Sequence, residues 1–210
     1  MMNTKQLRGR ISDRIYQVGP AQYYQPAYAR IASSIGLEDG TLLDVGCGPG
    51  WLCVHVAAGR PDVDAVGIDH SPRMVQAAQQ NKGPCLNVTI REMSGDDIKF
   101  PEATFDVATA VQTAHHWTNR RGVLNEIHRV LKPGGRLFLY EADRDQKEVP
   151  DGWIRRRSGW PPSAVVLAGW RRFGMNDEEW ADLTALVQGM DFSNRVFDRH
   201  GFYRRMVLTK

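Results

Sequence analysis

Cysteine is scarce in this chain: three among 210 residues, at positions 47, 53 and 85. They form no C-x-x-C pair and no disulfide framework, which excludes a disulfide-stapled secreted domain and makes a reducing cytoplasm the expected compartment. Long hydrophobic runs are missing as well. No stretch approaches the ~18 apolar residues needed to span a bilayer, and the opening MMNTKQLRGRISDR carries no apolar signal-peptide core. Membrane insertion is therefore not expected. Charge of one sign is nearly absent, because 27 Lys and Arg against 24 Asp and Glu leave only +3. That is too little to argue for a nucleic-acid partner. Repeats and low-complexity tracts are absent, and the histidines lack metal-ligand spacing, so no metal site is expected. A single soluble α/β domain remains, large enough to bury roughly 70% of its unfolded surface without staples.

Residues 41–141 alternate between strand and helix patterns. TLLDV (41–45) is a short apolar run that enters glycines. Residues 51–58 read as a helix stopped by Gly59 and Pro61. AVGID (65–69) reads as a second buried strand. Ser71-Pro72 opens a helix to about residue 81, with serine as N-cap and proline at the first helical position. LNVTIR (86–91) and FDVATAV (105–111) are further strands. A helix over 120–131 places Val123, Leu124, Ile127, Val130 and Leu131 on one face. Lys132-Pro133-Gly134-Gly135 breaks it as a turn, and RLFLYE (136–141) is the fifth strand. Strands apolar on both faces and separated by helices imply a parallel sheet covered on both sides.

The flanks differ. Residues 11–36 look helical and cluster Tyr16, Tyr23, Tyr24 and Tyr28. Residues 144–180 hold Trp153, Trp160, Trp170 and Trp180 together with Arg155–157 and Arg171-Arg172, a composition suited to a lid. Residues 193–199 and 202–209 flank His200-Gly201 as an antiparallel hairpin. The expected organisation is a helical cap (1–39), a cofactor-binding core (40–141), a lid and acceptor region (142–180), and a last helix with the hairpin (181–210).

Glycines after the first strand let a ligand approach bare backbone, and in open α/β sheets ligands sit beyond the strands' carboxyl ends. Asp69, 25 positions after Asp44, ends the second strand where a carboxylate can accept both hydroxyls of a ribose. The plainer alternative is a tight turn followed by a solvated strand end. A dinucleotide loop needs Gly or Ala at the sixth position of G-x-G-x-x-G, where this chain carries Trp51, and Pro49 removes an amide that a pyrophosphate would use. The loop therefore suits an adenosine ligand without phosphates.

At this point Asp44-Val45-Gly46-Cys47-Gly48-Pro49-Gly50 resembles the signature loop of class I S-adenosylmethionine-dependent methyltransferases. Its continuation is similar to the subfamily of ubiquinone and menaquinone C-methyltransferases. Gly67-Ile68-Asp69, Gly95-Asp96-Asp97, Phe105-Asp106-Val107 through His115-His116-Trp117, and Glu126 through Gly135 match in order. The resemblance implies a Rossmann-like, doubly wound, mostly parallel seven-stranded sheet with an antiparallel last strand, and S-adenosyl-L-methionine as cofactor. It further implies that Gly46, Cys47, Gly48 and Gly50 hold the methionine end, with Asp44 supporting that loop. Asp69, with His70 beside it, takes the ribose. Met74 packs on adenine or is ordinary core. Asp96 and Asp97 read the adenine edge, and Val111 and Gln112 line the sulfonium region.

Methyl transfer is an in-line displacement that needs alignment and exclusion of water; it needs a base only when the acceptor has a proton to lose. His115 and His116 are the candidate bases, or else they pack and shape the pocket. Tyr16, Tyr23, Trp117, Trp153 and Trp160 are candidate walls for a small aromatic or hydrophobic acceptor, and lid arginines would suit an acidic group on it. Two other classes stay open from sequence: a non-catalytic S-adenosylmethionine-binding module and a nicotinamide-dependent oxidoreductase. The nucleic-acid methyltransferase signature is missing after the fourth strand, where Gln112-Thr113-Ala114-His115 stands.

Overall fold

The computed structural model describes residues 23–155 and 161–210, so Tyr16 and Trp160 lie outside it. Chain order is α1 (Gln25–Ile35), β1 (Gly40–Val45), α2 (Trp51–Ala57), β2 (Val63–Asp69), α3 (Pro72–Lys82), β3 (Val88–Glu92), β4 (Phe105–Val111) and a 3-10 turn (Ala114–His116). It continues with α4 (Arg120–Val130), β5 (Leu131–Ala142), α5 (Ser163–Phe173), α6 (Asp177–Gln188), β6 (Asn194–His200) and β7 (Tyr203–Thr209). One seven-stranded sheet runs β3-β2-β1-β4-β5-β7-β6. The first five strands in that order pair in parallel, while β7 is antiparallel to both β5 and β6.

The alternation of buried side chains sends each strand's residues to two apolar clusters. Leu42, Val107 and Phe138 pack with α1, α2 and α3 on one side. Leu43, Ala108 and Leu139 pack with α4 and α6 on the other. Each fully buried Leu, Ile, Val or Phe contributes about 1.5–3 kcal/mol, so this two-sided burial is what holds the strand ends in place. The expected face of α4 is buried as read, with Leu124, Ile127 and Val130 at 0% exposure. The turn at 132–135 is a local outward loop: β5 pairs Leu131 with Phe105 and resumes at Arg136 opposite Val107. Gly134 there takes φ +77°, the left-handed conformation that the third residue of such a turn requires.

Two flank readings change. The last helix begins at Asp177, inside the stretch assigned to the lid, because Asn176 and Glu179 form a reciprocal capping box. The described tryptophans of that stretch also divide between the two cores, Trp153 and Trp170 on one side and Trp180 on the other.

Candidate functional site

Strand order reverses between β1 and β4. The chain runs outward from β1 to β2 and β3, then returns to the opposite side of β1, which leaves a crevice at the carboxyl ends. Four loops meet there. The amides of Gly46 and Cys47 donate to the Ile68 carbonyl at 2.8 and 2.9 Å, and the Gly50 amide donates to Cys47 at 3.0 Å. The Gly48 amide donates to Asp69 Oδ2 at 2.9 Å, while Ser71 N donates to Oδ1 at 2.9 Å. Every amide of the 46–50 loop thus has a partner within the protein, and Pro49 has none to offer. The loop itself therefore offers a pyrophosphate no free amide, which weighs against a dinucleotide.

The glycines have separate duties. A Cβ on Gly46 (φ +71°) would stand 2.1 Å from Thr113 Oγ1, so this glycine lets the loops after β1 and β4 touch. A Cβ on Gly50 would meet Ala78 of α3 at 2.8 Å. Only Gly48 (φ +52°) faces open space, with nothing within 4 Å of a built Cβ. Of the three, Gly48 alone leaves its face open to a ligand. The loop after β3 is drawn in by Gly95, whose added Cβ would meet Val45 at 2.9 Å.

Asp69 is 7% exposed, and each of its oxygens accepts one of the two amide bonds described. A carboxylate oxygen accepts more than one hydrogen bond, so these amide bonds are compatible with a ribose hydroxyl on the same group. His70 stands beside it, with Nδ1 3.8 Å from Asp69 Oδ1 and its side chain 81% exposed. Met74 is buried in the first turn of α3 but belongs to neither apolar cluster of the described residues. Asp96 and Asp97 are exposed, bonded to Ser94 and paired with Lys99 respectively. These positions fit an adenosine along Asp69, Met74 and the 93–97 loop.

Asp44 lies at the end of β1, with Val45 between it and the loop. Its carboxylate accepts from the Thr109 hydroxyl at 2.7 Å and lies 3.8 Å from the Cys53 thiol, while no hydrogen bond runs from it to the glycine loop among the described residues. Thr109 is its register neighbour on β4. Burial, offset in part by Thr109 and reinforced by the nearby Asp69, pushes Asp44 up to about 7. Cys47 and Cys53 are buried beneath the loop, and burial likewise pushes both thiols well above their usual range.

Past β4, Val111 is buried, and Gln112 takes φ +56° with its amide donating to the Tyr140 carbonyl at 2.8 Å. Oriented by its neighbours, the Gln112 side chain donates to Glu141 Oε2 at 3.2 Å and accepts from Ala142 N at 2.9 Å. Glu141 has 0% exposure and was not singled out in the sequence. Its Oε1 accepts the Ala114 amide at 2.6 Å, and its Oε2 lies 2.8 Å from His115 Nδ1. The His116 ring packs against His115 with centroids 3.9 Å apart. Partial burial first, then the neighbouring His115 and His70, pushes His116 down to about 4. The two histidines are therefore not equivalent: one is held by a buried carboxylate, the other is kept neutral. A signal for Glu141 existed, since it is an acid ending an otherwise apolar strand, the same signature that marks Asp69.

The acceptor candidates separate. Tyr23 meets the segment that follows Trp153, its carbonyl accepting from Arg155 N at 2.7 Å. Trp117 is half-buried against the α4 and α6 side. Trp153 is turned inward, 8% exposed, with His200, Phe202 and Tyr203 around it and the Arg30 guanidinium 5.4 Å from its ring centroid. Its surface is occupied by protein, which makes it a packing residue rather than a wall. Arg155, Arg171 and Arg172 are exposed and face outward. Among the described residues no group of three or more His, Cys, Asp or Glu could hold a metal, and no helix is long and apolar enough to cross a membrane.

Known proteins agree with this geometry. Residues 43–139 match the methyltransferase domain family. A demethylmenaquinone methyltransferase of Tropheryma whipplei is 37% identical over 191 residues, covering 86% of this chain and 79% of that protein. The O-methyltransferase resE of Aspergillus sclerotiorum is 33% identical over 137 residues, 64% of this chain and 50% of that one. In fold, a methyltransferase structure from Methanococcus maripaludis superposes with TM-score 0.75 at 20% identity, covering 96% and 91% of the two chains. A strand-order reversal, a glycine loop with no amide left for phosphate and a ribose-ready acid thus coincide with a relative that spans most of the chain: the protein belongs to the S-adenosylmethionine-dependent methyltransferases.

Proposed function

We propose that the chain methylates a small aromatic acceptor at a hydroxyl or an activated ring carbon, with His115 as the base that removes the acceptor's proton. The observation that carries this reading is the 2.8 Å contact between His115 Nδ1 and the fully buried Glu141, on a turn that touches the glycine loop through Thr113 and Gly46. Relatives named for demethylmenaquinone methylation and for O-methylation supply the acceptor class.

When bound, the cofactor supplies an electrophilic methyl group on a sulfonium. Asp69 accepts the ribose hydroxyls, Gly48 leaves room for the ligand's close approach, and Met74 lies against the adenine. Asp96 and Asp97 read the adenine edge from the 93–97 loop. Val111 and Gln112 wall the reacting end and exclude water. Glu141 accepts a hydrogen bond from His115 Nδ1–H, which leaves Nε2 with its lone pair as acceptor. The acceptor's proton moves to Nε2 as its oxygen or carbon attacks, and the buried carboxylate stabilises the resulting imidazolium. His116, held near 4, is too weak a base for this step at neutral pH and serves as packing. We place the reaction in the cytoplasm, with no role for nucleic acid.

The test is release of S-adenosylhomocysteine by the full chain with a panel of phenols and hydroquinones, as a function of pH. His115→Asn is expected to lower turnover by about 100-fold or more while leaving cofactor affinity unchanged. Equal turnover in that variant returns His115 to packing. Methylation of amines alone would move the acceptor class.

A further inference from the structure

Beyond His115 the carboxyl edge continues over β5, β7 and β6, and a second recess of about 390 Å³ opens there. It is lined by the buried Asp143 and Arg204, with the exposed Asp177 and Arg199 and the loop residues Asp145, Lys147 and Glu148 around them. The sheet register ties this lining to the base. Glu141 pairs with Arg204, and Arg204 pairs with Arg199, in one row across three strands. Residues paired across a ladder project to the same face, and neighbouring strands lie ~4.8 Å apart. Arg204, which lines the recess, therefore stands one strand away from the carboxylate that holds His115, on the same face of the sheet.

What the lining still has to give is donors. Asp143 is 2% exposed and spent: Oδ1 accepts from Arg204 at 2.8 Å and from Asp145 N at 3.0 Å, and Oδ2 is bonded by Arg199. Arg204 is 8% exposed, and one of its terminal nitrogens bridges Asp143 and Asp177. Its buried Nε has no partner among the described residues. Arg199, with its side chain 58% exposed, uses one nitrogen on Asp143. Asp177, 85% exposed, is a partner that can swing into water. Displacing the exposed Asp177 frees the Arg204 nitrogen that it holds, and a planar arginine fork matches a carboxylate in two parallel bonds.

We propose that this recess anchors the acceptor by a carboxylate remote from the methylated atom, with Arg204 and Arg199 as its specificity-determining residues. The inference rests on the reading of His115 as the base and deepens it, because the acidic group is met by β6 and β7 rather than by the lid arginines. On binding, the ligand carboxylate takes Arg204 over from Asp177, which turns outward.

The full chain saturated with S-adenosylhomocysteine is titrated calorimetrically with benzoate, 4-hydroxybenzoate and 4-hydroxycinnamate, and with the corresponding amides. At least one acid is expected to bind saturably and at least tenfold more tightly than its amide. Arg199→Gln weakens the acid at least tenfold, while Asp177→Asn, which frees Arg204, tightens it about threefold. These two exposed positions are used because replacing buried Arg204 risks the fold. His115→Asn is expected to leave intact the binding of benzoate, which has no hydroxyl for His115 to meet, and so separates anchoring from proton removal. No acid bound while S-adenosylhomocysteine still binds, acid and amide bound alike, or acid affinity unchanged in both Arg199→Gln and Asp177→Asn would each overturn the anchoring site and leave the methyltransferase reading standing. Failure of S-adenosylhomocysteine itself to bind would overturn both.

Discussion

The two halves of the sheet's carboxyl edge are built by different means. Around β1 and β2 the site is backbone: loop amides bonded to Ile68 and Asp69, with one glycine facing open space. Around β4, β5 and β7 it is side chain: Glu141 holding His115, and Arg204 and Arg199 clasping Asp143, each brought from a distant segment. A backbone site is written locally, in spacing and in glycines, and serves any member that binds the same cofactor. A side-chain site is assembled by register, and there a family can change its acceptor without disturbing its cofactor.

Substitutions on either side should sharpen that contrast. The largest effect is expected at Glu141. Glu141→Gln keeps an acceptor for the Ala114 amide but loses the charge that holds the imidazolium, so turnover falls on the order of 100-fold with cofactor affinity retained. Parallel losses of turnover and cofactor affinity would break the division between the halves.

Next comes Gly46→Ala. Left-handed backbone plus a clash with Thr113 is expected to cost about 3 kcal/mol. That lowers the melting midpoint by roughly 10 °C and abolishes cofactor binding. Gly48→Ala carries the backbone strain without the clash, so the midpoint drops only about 2–4 °C while cofactor affinity still falls. Similar melting losses in the two variants would show that their duties are not separate. Asp69→Ala should weaken the cofactor by about 1.5–3 kcal/mol, read by calorimetry.

In the wild type the smallest effect lies in pH, because two slopes oppose each other. Asp44 holds its proton up to about 7 when folded, against an ordinary 3.8. Between those values the folded state carries the extra proton, so stability falls as pH rises and levels above about 7. His116, lowered from 6.5 to about 4, does the reverse: the unfolded chain carries the extra proton and stability rises across that window. The opposing slopes offset between about pH 4 and 6.5 in the wild type. His116→Gln should unmask a urea midpoint that falls from pH 4 to 7, and Asp44→Asn one that rises; flat profiles in both would place these groups in ordinary solvent.

Much of the fold is legible because its signals are short-range. The α4 stripe of Val123, Leu124, Ile127 and Val130, the Ser71-Pro72 helix start and the acid ending β2 each need only a few neighbouring residues to be recognised. The capping box at Asn176 and Glu179 is equally local, yet the aromatic composition around it outweighed it and placed the start of α6 in a lid. The direction in which Trp153 turns is not local: composition shows that an aromatic is present, while its partners Phe202 and Tyr203 lie about fifty residues on.

By itself the sequence determined the parallel βα architecture, the glycine loop, its unsuitability for phosphate and the acid at residue 69, since periodicity, turn chemistry and missing amides are properties of contiguous residues. Only the tertiary structure decided which histidine is held by a carboxylate, why Gly46 and Gly48 are both glycine for different reasons, and that Arg204 stands in line with Glu141. Those facts depend on strand register, which joins residues more than twenty positions apart and is settled by packing both faces of the sheet at once.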